Sequence, residues 1–259
     1  MSTPGSPTGG KISVCHTRSL LLKVYWSFAI WLVLCGISQA ELTFTFFSES
    51  GEANVGSQIM SFLNRLPDAT TESIQSAQMG NTSRVVYSSS WSATEFAMTG
   101  SLFSVSSSEE AANILQVQCQ FYLPEQDDPV SLSVLTHYRL FATNLRSLAF
   151  SIVGYLLVDP SEADPMIEHV DGTSVLSDET GTWLDRVILT PGMNYEFQFV
   201  AEAGAHNRFA DGYEVAMADF GLQMSWATVP EPSSLLLALV GVGAVRLFRS
   251  KRASASGNP

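Results

Sequence analysis

The sequence predicts an all-β exported body, an antiparallel two-sheet β-sandwich of the jelly-roll or Ig-like kind, between an N-terminal signal helix and a C-terminal transmembrane helix. Three observations carry this expectation. Apolar and polar residues alternate with period two through much of positions 41–228. Turn-forming pairs of Asp, Pro and Gly recur between the alternating runs. Two apolar runs with basic neighbours stand outside the alternation, one at each end.

The front segment, 1–40, reads as a signal peptide with a long polar leader. Lys11, Arg18 and Lys23 supply a positive region, and Val24 to Cys35 form an apolar run of signal length. Ser38 and Ala40 are small residues at the −3 and −1 positions, so cleavage after Ala40 is expected. An uncleaved N-terminal anchor is the alternative, although the run is short for a membrane span. Leu34 stands before Cys35 where a lipoprotein signal needs a small residue.

The body, 41–228, reads as strands. Leu42, Phe44 and Phe46 alternate with threonines. Leu115, Val117, Cys119, Phe121 and Leu123 alternate with Gln116, Gln118, Gln120 and Tyr122, the cleanest strand pattern in the chain. Val130, Leu132, Val134, Tyr138 and Leu140 share one parity, and so do Tyr195, Phe197, Phe199 and Ala201. Tyr213, Val215 and Met217 continue the habit, as do Leu222, Met224 and Trp226. Weaker strand patterns cover 84–87, 92–99, 148–158 and 183–189. Turns are expected at Asp127-Asp128-Pro129, Asp159-Pro160, Asp171-Gly172, Pro191-Gly192 and Asp211-Gly212. One short helix is expected where Ile59, Phe62, Leu63 and Leu66 fall at helical spacing and Pro67 ends the pattern. Many strands with regular turns and no sustained helical stripe argue a two-sheet sandwich.

The tail, 229–252, opens with Val229-Pro230-Glu231-Pro232 and runs through Leu235 to Val245 into Arg246, Arg249, Lys251 and Arg252; 253–259 is a polar end. The physics is that of a stop-transfer element, with the apolar run in lipid and the basic cluster on the cytoplasmic side. As a helix, 233–248 would span about 24 Å at 1.5 Å per residue, short of a hydrocarbon core of about 30 Å. Arg246 must snorkel. The prolines hold the upstream stretch extended, which is what a processing enzyme needs to grip. The ordered trio of Pro230-Glu231-Pro232, apolar helix and basic cluster resembles the PEP-CTERM sorting signal. That resemblance covers about the last 30 residues. It implies recognition by exosortase, a membrane-embedded cysteine transpeptidase of Gram-negative bacteria, and a link to exopolysaccharide and biofilm matrix. Many such tails stop at the basic cluster, whereas this one continues to Pro259. An ordinary single-pass anchor behind a proline linker is the alternative reading.

Charge narrows the partners. Between 41 and 230 there are six arginines, no lysine and 24 carboxylates, which leaves −18. A field of that sign repels phosphate backbones, so nucleic acid is not an expected partner. Cys119 is the one cysteine left once the leader is removed, so no internal disulfide is expected, and its parity reads as a buried small hydrophobe.

No catalytic motif is present: there is no Gly-x-Ser-x-Gly, His-Glu-x-x-His or phosphate-binding glycine loop. His137, His169 and His206 have no metal-ligand spacing and read as polar-face or loop residues. The acidic stretch from Asp159 to Glu179 reads as a Pro/Gly-containing solvated loop. Its hard oxygen ligands make Asp159, Asp164, Asp171 and Asp178 the candidates for Ca²⁺, although the spacing matches no EF-hand. Trp91, Trp183 and Trp226 are candidates for a sugar-stacking platform, with Trp183 first because it follows the acidic stretch; at strand parity, core positions are the plainer reading. The expectation is a non-enzymatic surface or matrix protein, with a purely structural or adhesive sandwich and an exported glycan hydrolase as alternatives. It would be held transiently in the inner membrane and then delivered to the surface or matrix.

Overall fold

The computed structural model describes residues 42–66, 69–125, 128–143, 148–162, 164–174, 176–207 and 212–229. They form twelve strands: β1 (Thr43–Val55), β2 (Gln58–Asn64), β3 (Thr70–Gln78), β4 (Asn81–Trp91), β5 (Glu95–Ser106), β6 (Glu110–Tyr122), β7 (Val130–Ala142), β8 (Leu148–Val158), β9 (Ile167–Thr173), β10 (Ser177–Leu189), β11 (Asn194–His206) and β12 (Glu214–Thr228). The expected leader, cleavage residue Ala40, sorting motif Pro230-Glu231-Pro232, membrane helix and basic cluster lie outside the described residues. Among the described residues no helix is long and apolar enough to cross a membrane.

The strands build two antiparallel six-stranded sheets. One has the order β2-β1-β6-β11-β8-β9 and the other β10-β7-β12-β5-β4-β3. From β5 onward the chain pairs like a rolled-up hairpin, first with last: β5 with β12, β6 with β11, β7 with β10, β8 with β9. The first four strands add two hairpins beside it, β1 laid along β6 and β4 along β5. The all-β two-sheet expectation holds.

Period-two alternation explains most of the core. The odd positions 115–121 of β6, with Cys119 among them, and Leu123 just past its end are buried, as are Leu132, Val134 and Leu140 of β7. Burial pushes the Cys119 thiol far above its ordinary value, which keeps it protonated and inert. The core changes character from end to end. Phe44, Phe47, Trp91, Phe96 and Trp226 fill one end with edge-on and stacked rings. The other end is small and polar: Ala203, Ala205, Ala216, Ser83, Ser104 and Asn113 are buried there. Small residues leave the sheets near enough to hydrogen-bond directly. Ser83 Oγ donates to the Ala112 carbonyl at 2.7 Å, Ser104 Oγ to that of Ala203 at 2.9 Å and Asn113 Nδ2 to that of Phe103 at 2.9 Å.

Four local expectations change. The helix expected over 59–66 is strand β2, because the Gly56 turn (φ 55°) returns the chain along β1. Spacings of four suit a strand face as well as a helix, and Ile59 and Leu63 share the outer face of an edge strand. In β1 a bulge between Phe44 and Phe46 shifts the alternation by one. Phe47 therefore turns inward and is buried, while Phe46 is left exposed. Asp171-Gly172 makes no turn and lies inside β9. The residues 213–217 and 222–226 lie along one strand region but on opposite faces. In β12 the inward row runs Ala216, Ala218, Phe220, Leu222, Met224 and Trp226, so Val215 and Met217 face out. At the start of the strand the inward row of β12 is Glu214, Ala216 and Ala218, all buried.

Glycines make room for rings across strand pairs. Gly51 lies opposite Phe62, Gly100 opposite Phe220, Gly181 opposite Tyr138 and Gly204 opposite Phe150. In each case an added Cβ would sit within 2.5 Å of a ring atom, so the ring covers the glycine backbone.

Candidate functional site

The sandwich has two lateral seams, and the one between edge strands β9 and β10 concentrates chemistry. Alternation places His169 and Asp171 of β9, and Trp183 and Asp185 of β10, facing the opposite sheet. Because both strands are edges, these side chains are half-covered and water reaches them. Tyr155, one strand in on β8, donates its hydroxyl to Asp185, and Tyr138, one strand in on β7, donates to Asp171. His169 Nε2 lies 2.9 Å from the same Asp185 oxygen. The Trp183 ring is stacked on His169 at 5.0 Å and 13°, with Tyr138 at 4.5 Å and Tyr155 at 5.7 Å.

Burial and the neighbouring carboxylates raise both phenols. Tyr138 is pushed up to about 12 by burial and by Asp171, and Tyr155 is raised still further by burial and by Asp185. Both hydroxyls therefore act as fixed proton donors at neutral pH. Chemically the seam joins two carboxylates, an imidazole and two phenols in one aromatic cluster.

A second feature lies on the outer face of the β2-β1-β6-β11-β8-β9 sheet. Gln116, Gln118, Gln198, Gly154, Leu156, Glu168, Val170 and Val200 line a groove of about 270 Å³. Its floor is open because position 154 has no side chain; a Cβ there would stand 2.7 Å from the His169 carbonyl oxygen. Beside the groove Glu196 accepts from the amides of Gln198, Gln118 at 2.8 Å and Gln120 at 3.1 Å. These donors hold the Glu196 carboxyl below its ordinary range. The amide array has fixed rotamers and still offers amide oxygens to a ligand.

The structure places the sequence candidates as follows. Trp183 is in the seam, but one ring face is taken by His169. Trp91 and Trp226 pack in the aromatic end of the core, and Trp226 Nε1 donates to the Ala93 carbonyl at 3.1 Å. The acidic stretch is not one loop, since it contains all of β9 and the start of β10, which belong to different sheets. Asp159 is buried and caps Ser161, accepting from its N–H at 2.9 Å and its hydroxyl at 2.7 Å. Asp171 accepts from Tyr138. Asp178, on the outer face of β10, forms a bidentate pair with Arg139 at 2.7 Å, and that guanidinium holds its carboxyl low. Asp164 lies in the β8–β9 connection. Among the described residues no group of three or more His, Cys, Asp or Glu is arranged to hold a metal ion. His137 faces out with its Nδ1 2.9 Å from Thr182 Oγ1. Sequence reasoning passed over Asp185, His169, Tyr138 and Tyr155 as a group. The available signal was an acid at inward parity, between Trp183 and Val187.

No protein-family model and no curated protein matches the chain. Distant likenesses exist among solved structures. The enzymatically active domain of bacteriophage CBA120 tailspike protein 4 aligns at a TM-score of 0.21 and 9% identity, covering 60% of this chain and 19% of that one. The VP2 protein of infectious bursal disease virus aligns at 0.21 and 10% identity, covering 76% and 66%. Its subviral particle form aligns at 0.15 and 11%, covering 85% and 75%. This chain thus spans a fifth of the tailspike domain and just under two thirds of the first VP2 chain. Likenesses this distant carry no functional argument.

Proposed function

We propose that the chain is an exported, non-enzymatic surface or matrix protein, delivered by a PEP-CTERM-type tail and carrying a jelly-roll sandwich that contacts exopolysaccharide. An exosortase-type enzyme is its processing partner, and the C-terminal helix holds it in the inner membrane until then. The observation that carries this reading is where the body stops. The central strand β12 ends at Thr228, Val229 N–H is tied to the Pro129 carbonyl at 2.8 Å, and the next three residues are Pro230-Glu231-Pro232. The proposed processing sequence thus begins directly after Val229, which the sandwich holds, and its two prolines favour an extended backbone. The first-with-last strand pairing supports the jelly-roll form over the Ig-like one.

The polysaccharide part draws on the outer-face groove. Its glutamine amides suit hydroxyl groups, and its Gly154–Leu156–Val170–Val200 floor suits the C–H face of a sugar ring. The −18 body favours a neutral glycan over an acidic one. Two experiments test the reading. Intact-mass analysis of exported protein is expected to show loss of 1–40 and of the tail beyond the motif, with tail loss blocked when Pro230, Glu231 and Pro232 are changed to alanine. Unchanged processing in that variant rejects the sorting role. A glycan array is expected to capture the protein on neutral polysaccharides and to lose it with Gly154→Leu.

A second reading, the structural or adhesive sandwich without a ligand site, has its own support. Tyr138, Tyr155 and Tyr87 each donate to a carboxylate of the facing sheet, so the inward acids serve as ties between sheets.

A further inference from the structure

We infer that β2 is a self-association edge, pairing antiparallel with β2 of a second copy about a two-fold axis at Ser61. Four strands are sheet edges: β2, β9, β10 and β3. Natural edges are guarded by charge, because an unpaired row of N–H and C=O groups recruits other strands. Three edges here carry acids: Glu72 on β3, Glu168 and Asp171 on β9, and Asp178, Glu179 and Asp185 on β10. β2, with the sequence Gln58-Ile-Met-Ser-Phe-Leu-Asn64, carries no charge and no proline. It also leaves apolar surface in water, with Ile59 58%, Met60 50% and Leu63 57% exposed.

The order of residues identifies the occupant. Read outward from Ser61, β2 is a palindrome of residue class. Met60 and Phe62 flank the centre, then Ile59 and Leu63, then the amides Gln58 and Asn64. Antiparallel pairing of two copies centred on Ser61 sets Ile59 against Leu63, Met60 against Phe62 and Gln58 against Asn64. Each apolar residue meets an apolar one, which a two-fold interface demands and which directly opposed pairs reward. Charge points the same way. Approach by any other edge of a copy sets acids against an acidic body, whereas the neutral strand does not. The nearest outer-face acid is Glu52, opposite Ser61 on β1. The two copies of Glu52 would lie three strand spacings apart, about 14 Å, beyond a screening length of about 8–10 Å. The product is one twelve-stranded sheet running through two sandwiches. This goes beyond the proposed function and does not depend on it.

The test uses the full chain, purified in detergent. Light scattering corrected for detergent is expected to give twice the chain mass, and Leu63→Lys is expected to weaken association at least tenfold. Ser61→Cys supplies a geometric readout. Directly opposed antiparallel residues have Cα atoms roughly 4.5–5.5 Å apart, within disulfide range. Under mild oxidation this variant is expected to form a covalent dimer well above the level of the parent chain. Val170→Cys, on the outer face of edge strand β9, is expected to stay at the parent level. A monomeric mass overturns the inference. So does a Ser61→Cys variant that stays at the parent level, which would leave any dimer to another surface, or a Val170→Cys variant that cross-links as readily.

Discussion

At the β2/β3 seam, Tyr87 donates to Glu49 at 2.6 Å, Asn64 donates to the other Glu49 oxygen at 3.1 Å, and Glu49 and Tyr87 are both 0% exposed. At the β9/β10 seam, Tyr138 and Tyr155 donate to Asp171 and Asp185 by the same chemistry, but the Asp185 side chain keeps 27% of its surface in water. The difference is one strand of depth. Glu49 sits on β1, inside an edge, so β2 and β3 cover it. Asp171 and Asp185 sit on the edges themselves. A tyrosine–carboxylate tie is therefore a structural lock in one place and part of a half-open cluster in the other.

Removing the acid should separate the two most widely. Glu49→Ala strands the Tyr87 hydroxyl without its carboxylate in the interior, while Asn64 Nδ2 keeps the Leu66 carbonyl and Thr70 Oγ1 as acceptors. A loss of roughly 2–4 kcal/mol is therefore expected in urea unfolding, most of it from the cavity and the stranded hydroxyl. Asp185→Ala leaves partners that water can satisfy, and roughly 1 kcal/mol or less is expected there. Equal costs would break the comparison. Combining Glu49→Ala with Tyr87→Phe should cost less than the two single changes together, because removing both partners leaves fewer groups unpaired.

The glycine–ring pairs sharpen it next. An alanine at Gly51 or Gly181 drives a Cβ to 2.2 or 2.1 Å from a ring, of Phe62 or of Tyr138. Overpacking of about 1–3 kcal/mol is expected at each. Gly181→Ala should also dislodge the Tyr138 hydroxyl from Asp171, whereas Gly51→Ala should not. Ultraviolet titration of tyrosine distinguishes them: the Tyr138 transition returns toward its ordinary value in the first variant and stays high in the second.

That titration fixes a pH window. The folded Tyr138 phenol loses its proton near 12, above the value of about 10 for the unfolded chain. A raised value means the folded state keeps the proton longer. Its contribution is therefore full below pH 10 and is lost as pH rises from 10 to 12. Thermal midpoints should fall more steeply across that window in the parent than in Tyr138→Phe. At the bottom of the scale, Asp178→Asn breaks the half-exposed surface pair with Arg139. No resolvable change in the unfolding midpoint is expected at neutral pH and physiological salt.

Much of this architecture is legible from period two alone. The parities of β6, β7 and β11 read correctly because both faces of those central strands are strongly contrasted. Legibility fails where the contrast weakens. β2 is apolar on its outer face, so a spacing of four reads as a helix. β1 shifts its parity through a bulge that no residue type announces. In β12 Ala216 and Ala218 take the inward row near the start of the strand, and the larger Val215 and Met217 attract the eye to the wrong face. The seam cluster was half visible: Trp183 and Asp171 stood out individually. What brings them together with Asp185, His169 and two tyrosines is the crossing of 159–179 from one sheet to the other, a property of topology that spacing does not encode.

Backbone amide hydrogen exchange at neutral pH tests the contrast between the seams most directly. Amides of 47–51 and 85–89, around Glu49 and Tyr87, are expected to exchange only on global unfolding, while those of 168–172 and 182–186 exchange through local opening at least a hundredfold faster. Equal protection at the two seams, or faster exchange around Glu49, would contradict the assignment of one as a lock and the other as an open cluster.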